Sequence, residues 1–257
     1  MERPPLTQME IVEDRTPGSR CDEGFLTLRR LVLRNRYADG STSAPYPCDV
    51  LERPGSDAVV AVLYERREGR VRVLLREAPR GPIYLRRDKS FVHPDPREYL
   101  SILEVVAGLV EASDEPGPAG LRHRAAAEAR EEAGLDVRES SLAPLGGETF
   151  ASPGTTDEKI YFCAAEADLE DRGEAVGDGS TMEEWSRVHL LDLRDAIEMC
   201  RDGRIPDMKT EVALLRLADH LGYVHQLDAF VDDLPTDLRT RFRPTGLSGE
   251  PGVSGDR

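Results

Sequence analysis

The chain reads AEAREEAGL at residues 127–135, and this run of acidic and small residues constrains the fold more than any other. On a helix, residues three and four apart share a face, so Glu128, Glu131 and Glu132 would point in one direction. The alanines between them offer a small surface that packs closely on a sheet, and the glycine that follows suits a helix end. The run therefore predicts a helix over about residues 121–133 with a carboxylate face.

The carboxylate face has two interpretations. Three like charges repel one another, and the cost grows when the face is partly buried. A divalent cation removes that repulsion, and Mg²⁺ takes hard carboxylate oxygens and bridges to substrate phosphates. The alternative is a solvated glutamate-rich helix, because E-x-x-E-E spacing is common on exposed helices. The surrounding sequence decides between the two.

The segments around this helix are apolar and rich in β-formers, which predicts strands before and after it. Two more helices are predicted near the C-terminus. No strand is followed by the G-x-G-x-x-G run of a dinucleotide-binding fold. This order predicts an α+β fold, arranged as an α/β/α sandwich. The predicted strands are residues 25–33, 57–64, 71–76, 102–107, 159–165 and 185–191, and the predicted C-terminal helices are residues 192–201 and 210–221.

Composition divides the chain into four parts. Residues 1–23 are polar and acidic, which predicts a disordered leader. Residues 24–55 hold the N-terminal strands, and residues 56–225 hold the main domain. Residues 226–257 are rich in Pro, Gly and Ser toward their end, which predicts a largely disordered tail.

Charge and composition exclude several classes of protein. The net charge is −15, which disfavours non-specific binding to nucleic acid because such binding needs a basic surface. No apolar run reaches the roughly 18–20 residues of a membrane helix, and the N-terminus lacks a secretory signal. The four cysteines form no C-x-x-C pair. We therefore expect a cytoplasmic protein with reduced thiols and no membrane partner.

Together with its surroundings, the carboxylate helix resembles the signature of the Nudix hydrolases, G-x5-E-x7-R-E-U-x-E-E-x-G-U, in which U is a bulky aliphatic residue. The resemblance covers about residues 24–222. It implies a Nudix-type α/β/α sandwich with a mixed central sheet and an N-terminal antiparallel sheet, and an enzyme that hydrolyses a diphosphate bond. The matching residues are Gly108, Glu128, Glu131, Glu132, Gly134 and Leu135.

The chain departs from this signature in three places. Ala127 stands where the family has an arginine, Ala129 is smaller than the usual aliphatic residue, and Gly108 lies about five residues too far from the helix end. In the family the arginine helps to orient the metal ligands. Its loss leaves three interpretations: slower catalysis, bracing by Arg124 or Arg130 instead, or an inactive descendant.

The longer loop before the helix also leaves the loop glutamate of the signature without a match. Counting back from Glu128 reaches Ala119. The acidic residues that could take its place are Glu115 and Asp114.

Three further segments resemble the branch of the family that hydrolyses nucleoside diphosphate sugars. Residues 150–158 are similar to an S-P-G-x-x-x-E stretch of ADP-ribose and related pyrophosphatases, which implies that Pro153 and Glu158 bind substrate. Residues 107–111 with the enlarged loop, and residues 205–210, are similar to UDP-sugar pyrophosphatases. An ordinary turn and an ordinary helix cap are the alternatives.

The same resemblance implies a homodimer. In the resembled branch the leading strands, here residues 25–64, exchange between two subunits. The expected partners are therefore a second copy of the chain and a nucleotide-sugar substrate.

Hydrolysis of a diphosphate needs charge neutralisation, positioning and a water nucleophile. Glu128 and Glu132, with Glu131, are assigned as Mg²⁺ ligands, with Mn²⁺ able to substitute, and Glu131 is also a candidate for catalysis. By resemblance, the backbone carbonyl of Ala107 adds another ligand.

A general base is expected in the loop before a late strand, where residues 182–185 read MEEW. Glu184 is the first candidate and Glu183 the second, with two exposed loop acids as the alternative interpretation. Arg76 and Arg80 are candidates to clamp phosphate, and a surface role is their alternative.

The products would be a nucleoside monophosphate and a sugar phosphate, with ADP-ribose and UDP-glucose as the leading substrates. A catalytically weak or inactive nucleotide-sugar binding protein is the second hypothesis. The third is a Nudix enzyme for nucleoside triphosphates or coenzyme A, against which the Ser152-Pro153-Gly154 segment argues.

Overall fold

The computed structural model describes residues 20, 24–175, 177 and 186–242 of the chain. Within them, one mixed sheet has the central strand order β10-β4-β3-β9-β7, with β3 and β9 parallel and the other pairs antiparallel. The N-terminal strands β1 (Thr27–Leu33) and β2 (Tyr46–Glu52) form a separate antiparallel hairpin. The strands of the mixed sheet are β3 (Ala58–Arg67), β4 (Arg70–Pro79), β5 (Ser101–Glu104), β6 (Val106–Leu109), β7 (Ala143–Pro144), β8 (Thr149–Phe150), β9 (Lys159–Glu166) and β10 (Arg187–Asp192).

The hairpin of β3 and β4 is open at one end. The two strands pair only beside their turn, from Tyr64 with Val73 to Arg67 with Arg70. Glu68 and Gly69 both have positive φ, at 53° and 77°, as a tight two-residue turn requires. Beyond this closed end the strands diverge, and the consecutive strands β5 and β6 fill the gap, β5 on β4 and β6 on β3.

Helices cover both faces of the sheet. The buried side chains of β3 alternate between two hydrophobic clusters: Val59 and Ala61 join the cluster of the long helix α2, and Val60 and Val62 join that of α3 and α4. This alternation confirms the expected α/β/α sandwich with a mixed sheet. The helices are α1 (Gly81–Tyr84), α2 (Pro118–Ala133), α3 (Leu193–Arg201), α4 (Met208–Leu221) and α5 (Thr236–Phe242).

The end of β2 and the residue that follows it bond the N-terminal hairpin to the segment before β9. The amide of Leu51 donates to the carbonyl of Thr155 at 2.8 Å, and Arg53 pairs with Glu158 at 2.7 Å. The rest of the hairpin projects outward, so that Val32 is 75% exposed. The expected N-terminal antiparallel sheet is therefore present.

Three expectations about element bounds need correction. Helix α2 begins at Pro118 rather than near Leu121, because Gly117 at φ 86° turns the chain and the proline suits the first turn. No helix or strand was predicted between residues 76 and 102, yet this segment contains α1 and a 3-10 turn over Leu85–Asp88.

The third correction concerns the C-terminal segment. Residues 226–242, assigned above to the tail, are folded, with a short hairpin of β11 (Tyr223–Val224) and β12 (Ala229–Phe230) followed by α5. The leader, apart from Arg20, and residues 243–257 lie outside the described residues. In the described part of the chain, no helix combines the length and apolarity needed to cross a membrane.

Candidate active site

Helix α2 carries Glu132 into the interior, against the strands that fill the open hairpin. Its side chain is only 4% exposed. One carboxylate oxygen accepts a hydrogen bond from Arg76 of β4, and the other accepts from the amide of Ala107 of β6 at 3.1 Å. A buried carboxylate needs such partners because burial without them would cost several kcal/mol. The helix, β4 and β6 therefore meet at this one residue.

Glu128 lies one helical turn earlier, directly beneath Gly108 of β6. A Cβ atom built on Gly108 would overlap the carboxylate of Glu128. Glycine is therefore needed here for close approach rather than for an unusual backbone angle. The cradle formed by the bare backbone of Gly108 and the adjoining Ala107 is the place where the sequence predicted a backbone metal ligand.

Glu131 is partly exposed, and its backbone carbonyl accepts a hydrogen bond from the amide of Gly177 at 2.8 Å. This bond ties the acidic loop after β9 to the end of α2. The proposed bases Glu183 and Glu184 are further along that loop and lie outside the described residues.

A cluster of cations surrounds a second buried glutamate, Glu104 of β5. Arg80 donates to one oxygen of Glu104 at 2.6 Å, and the ammonium of Lys209 donates to the other. Arg76 lies opposite Glu104 in the β4–β5 ladder. Burial alone would lower the pKa of Arg80 and of Lys209, but the nearby carboxylates outweigh burial, so both pKa values are raised. Arg80 and Lys209 therefore remain charged beside the carboxylate helix.

Lys209 was not singled out from the sequence, although the segment that contains it was. The start of α4 positions it: Asp207 accepts from the amide of Thr210 at 3.1 Å and from Lys209 at 2.8 Å. The hydroxyl of Thr210 accepts from the amide of Val105 at 3.0 Å, between β5 and β6. The cap interpretation of Asp207 is thus confirmed, and the cap also fixes a cation near the site.

Of the two predicted arginine clamps, Arg76 is buried and faces Glu132, whereas the side chain of Arg80 is 38% exposed. Arg80 is therefore the better placed to meet a phosphate that enters from solvent. The role of Arg76 in binding substrate stays a prediction.

The Ser152-Pro153-Gly154 turn lies at the end of the sheet where β6 ends. Ala58 of β3 pairs with Leu109 of β6 on one side and with Ile160 of β9 on the other. Ile160 also pairs with Thr149 of β8, which comes just before the turn. Pro153 is exposed there. Glu158 is bound by Arg53, so it joins the sandwich to the N-terminal hairpin, and its contact with substrate stays a prediction.

The residues present fit a magnesium ion. The overlap of a built Cβ with Glu128 marks a cradle of backbone and carboxylate oxygen, which is the chemistry that Mg²⁺ prefers. Within the described ranges, no three His, Cys, Asp or Glu side chains converge closely enough to hold a metal by themselves. Such convergence is not required, since Mg²⁺ is usually held by one or two carboxylates together with waters and substrate phosphates.

An acidic helix packed beside fixed cations is suited to an anionic, phosphate-bearing substrate, and curated relatives are enzymes of this kind. The chain is 33% identical over 181 residues to the GDP-mannose pyrophosphatase of Yersinia enterocolitica, covering 69% of this chain and 87% of that protein. It is 28% identical over 185 residues to the ADP-ribose pyrophosphatase of Haemophilus influenzae, covering 71% and 75%. No protein-family model matches the chain.

The fold and these relatives define a pyrophosphatase of the α/β/α sandwich class. The chain belongs to the Nudix hydrolase family, whose members act on pyrophosphate bonds.

Proposed function

We propose that this enzyme hydrolyses the diphosphate bond of a nucleoside diphosphate sugar in a Mg²⁺-dependent reaction, giving a nucleoside monophosphate and a sugar phosphate. The observation that carries the proposal is the junction at Glu132. There the carboxylate helix, the backbone of Ala107 and the buried Arg76 meet, with the cations around Glu104 alongside.

Glu128 and Glu132 would hold the magnesium ion, with Glu131 and the Ala107 carbonyl as further candidates. The ion would supply charge neutralisation for the diphosphate and activate the attacking water. Mn²⁺ has similar ligand preferences and would substitute.

The other groups of the site bind and orient the substrate. Arg80 is held at 2.6 Å from Glu104, and its partly exposed guanidinium would grip a phosphate oxygen. Lys209 keeps its positive charge and offsets Glu104, so Arg80 need not serve as its sole counter-ion. Glu184, or else Glu183, would take the proton from the attacking water.

The relatives narrow the substrates to test. Their names specify ADP-ribose and GDP-mannose, and the UDP-sugar resemblance of residues 107–111 adds UDP-glucose. The described cysteines, Cys48, Cys163 and Cys200, are free thiols, which supports a reducing compartment such as the cytoplasm.

The test is a substrate panel of ADP-ribose, GDP-mannose, UDP-glucose and dGTP, assayed for phosphomonoester release with Mg²⁺, with Mn²⁺ and with a chelator. We expect chelator-sensitive turnover of one or more of the three sugars and little of dGTP. Absence of metal-dependent turnover of all three nucleotide sugars would overturn the proposal. A preference for dGTP would assign the enzyme to another branch of the family.

Two variants assign the residues. Glu128→Gln should lower kcat by more than about 100-fold, since a ligand to the catalytic charge is lost. Glu184→Gln should lower kcat far more than it changes KM, and a normal kcat would shift the base to Glu183. The matched control is Glu139→Gln, an exposed residue beyond the helix that pairs only with His123 among the described residues.

A further inference from the structure

The loop before α2 is bound to the helix by one arginine. Arg124 donates from Nε and Nη2 to the two carboxylate oxygens of Asp114, at 3.1 Å and 3.0 Å. This is the bidentate geometry that makes arginine–carboxylate pairs both strong and directional. Asp114 also accepts from the amide of Glu111 at 2.8 Å, so the first turn of the loop after β6 is fixed as well.

The pair is largely shielded from solvent. The side chain of Asp114 is 5% exposed and that of Arg124 is 13% exposed. The hydrogen bonds from Arg124 hold the pKa of the Asp114 carboxyl below its ordinary value. An exposed ion pair would contribute little, but a shielded bidentate pair resists rearrangement.

Arg124 also reaches the predicted metal ligand. Its Nη1 lies 3.9 Å from a carboxylate oxygen of Glu128, four residues and one helical turn further on. Glu128 is thus confined on one side by the backbone of Gly108 and on another by this guanidinium. Arg124 additionally lies 3.2 Å from Glu111, so its charge is balanced by neighbouring carboxylates and would not repel a cation at Glu128.

We infer that Arg124 and Asp114 form the positioning pair of this site. They replace two residues of the family signature, the arginine at the position of Ala127 and the loop glutamate at the position of Ala119. The pair orients Glu128 for metal binding and fixes the loop that leaves β6. Arg130, the other candidate, is exposed, and its guanidinium makes no hydrogen bond or ion pair with any described residue. The inference rests on the proposed function of Glu128 as a metal ligand.

The test measures Mn²⁺ affinity directly, by electron paramagnetic resonance of the free ion, together with kcat and KM. Arg124→Ala should weaken Mn²⁺ binding by about 10- to 100-fold, the usual effect of losing a residue that orients a metal ligand. Arg124→Lys should recover only part of the loss, because lysine cannot form the bidentate pair. Asp114→Asn should weaken binding similarly, and the double variant Arg124→Ala with Asp114→Asn should be little worse than either single variant.

Arg130→Ala is the matched control on the same helix and should bind Mn²⁺ as the wild type does. Affinities of Arg124→Ala and Asp114→Asn within twofold of wild type would overturn the inference, as would fully additive losses in the double variant. If Arg124→Ala fails to fold, the nearly isosteric Asp114→Asn carries the test. Failure of the proposed function can be distinguished from failure of this inference. It would appear as absence of turnover by the wild-type protein, irrespective of the Mn²⁺ affinities of the variants.

Discussion

Gly108 of β6 and Glu128 of α2 occupy adjoining space, so closely that a single methyl group on Gly108 would overlap the glutamate carboxylate. The atoms that would have to move are the far end of a flexible side chain. The helix and strand can therefore stay in place while the carboxylate moves away.

The first prediction follows from this contact. Gly108→Ala should leave the free energy of unfolding within about 1 kcal/mol of wild type, as expected where a flexible group gives way. It should lower Mn²⁺ affinity and kcat by at least about tenfold, because Glu128 can no longer lie beneath the strand. Urea unfolding and metal titration give both values. Gly147→Ala, at a glycine with open space around it, is the control, and normal metal binding by Gly108→Ala would contradict the assignment of Glu128.

The second prediction concerns the buried pair of Arg76 and Glu132. Glu132→Leu takes a buried counter-charge away from Arg76, so it should destabilise the protein by about 3–5 kcal/mol. The double variant Arg76→Met with Glu132→Leu should recover most of that loss, yet remain inactive. Chemical unfolding and the substrate assay separate the two effects. If the double variant were as unstable as Glu132→Leu alone, the loss of stability would not come from the buried charge of Arg76.

The third prediction concerns pH. The pKa of Lys209 is raised in the folded protein, because Glu104 and Asp207 outweigh burial. Its stabilising contribution is therefore complete below the unfolded pKa of about 10.4 and is lost as the pH rises through the higher folded pKa. Wild type should lose stability to urea above about pH 10.4, more steeply than Lys209→Arg, which stays charged. Equal slopes for the two proteins would contradict this role.

The fourth prediction concerns the outward hairpin of β1 and β2. Val32 is 75% exposed and Phe25 is 58% exposed, as apolar side chains at a subunit contact would be in an isolated chain. We expect the wild type to be a dimer in light-scattering measurements and Val32→Glu to shift it toward monomer. Arg34→Glu, a charge change at an exposed site after β1, is the control. A monomeric wild type would contradict the expected exchange of these strands between subunits.

Much of the fold was predictable because its signals are local. Glu131 and Glu132 follow Glu128 by three and four residues, and with the glycine after them they predict α2 and its end. Gly134 does adopt a left-handed φ of 67°. The alternation of the β3 side chains between the two faces of the sheet was hidden, since both faces are covered and residues 58–64 are all buried and apolar or aromatic.

For the arginine and the loop carboxylate that orient Glu128, the sequence predicted only a choice between candidates. Sequence offered Arg124 or Arg130 and Asp114 or Glu115, and spacing alone could not choose, because the path of the loop is set by contacts made after folding. The loop turns so that Asp114 faces Arg124. Lys209 was missed for a similar reason, since its partner Glu104 is distant in sequence and meets it only across the sheet edge.

The insertion of β5 and β6 between the diverging ends of β3 and β4 also has a kinetic consequence. The hairpin turn at Glu68 and Gly69 joins neighbours in sequence, whereas Val60 must find Ala107 and Ala58 must find Ile160. Pairings between such distant segments incur a large loop-closure entropy before any contact compensates for it, and they slow folding. The Ala107 amide can meet Glu132 only after the insertion, so refolding chains should regain their hairpin before they regain catalytic competence.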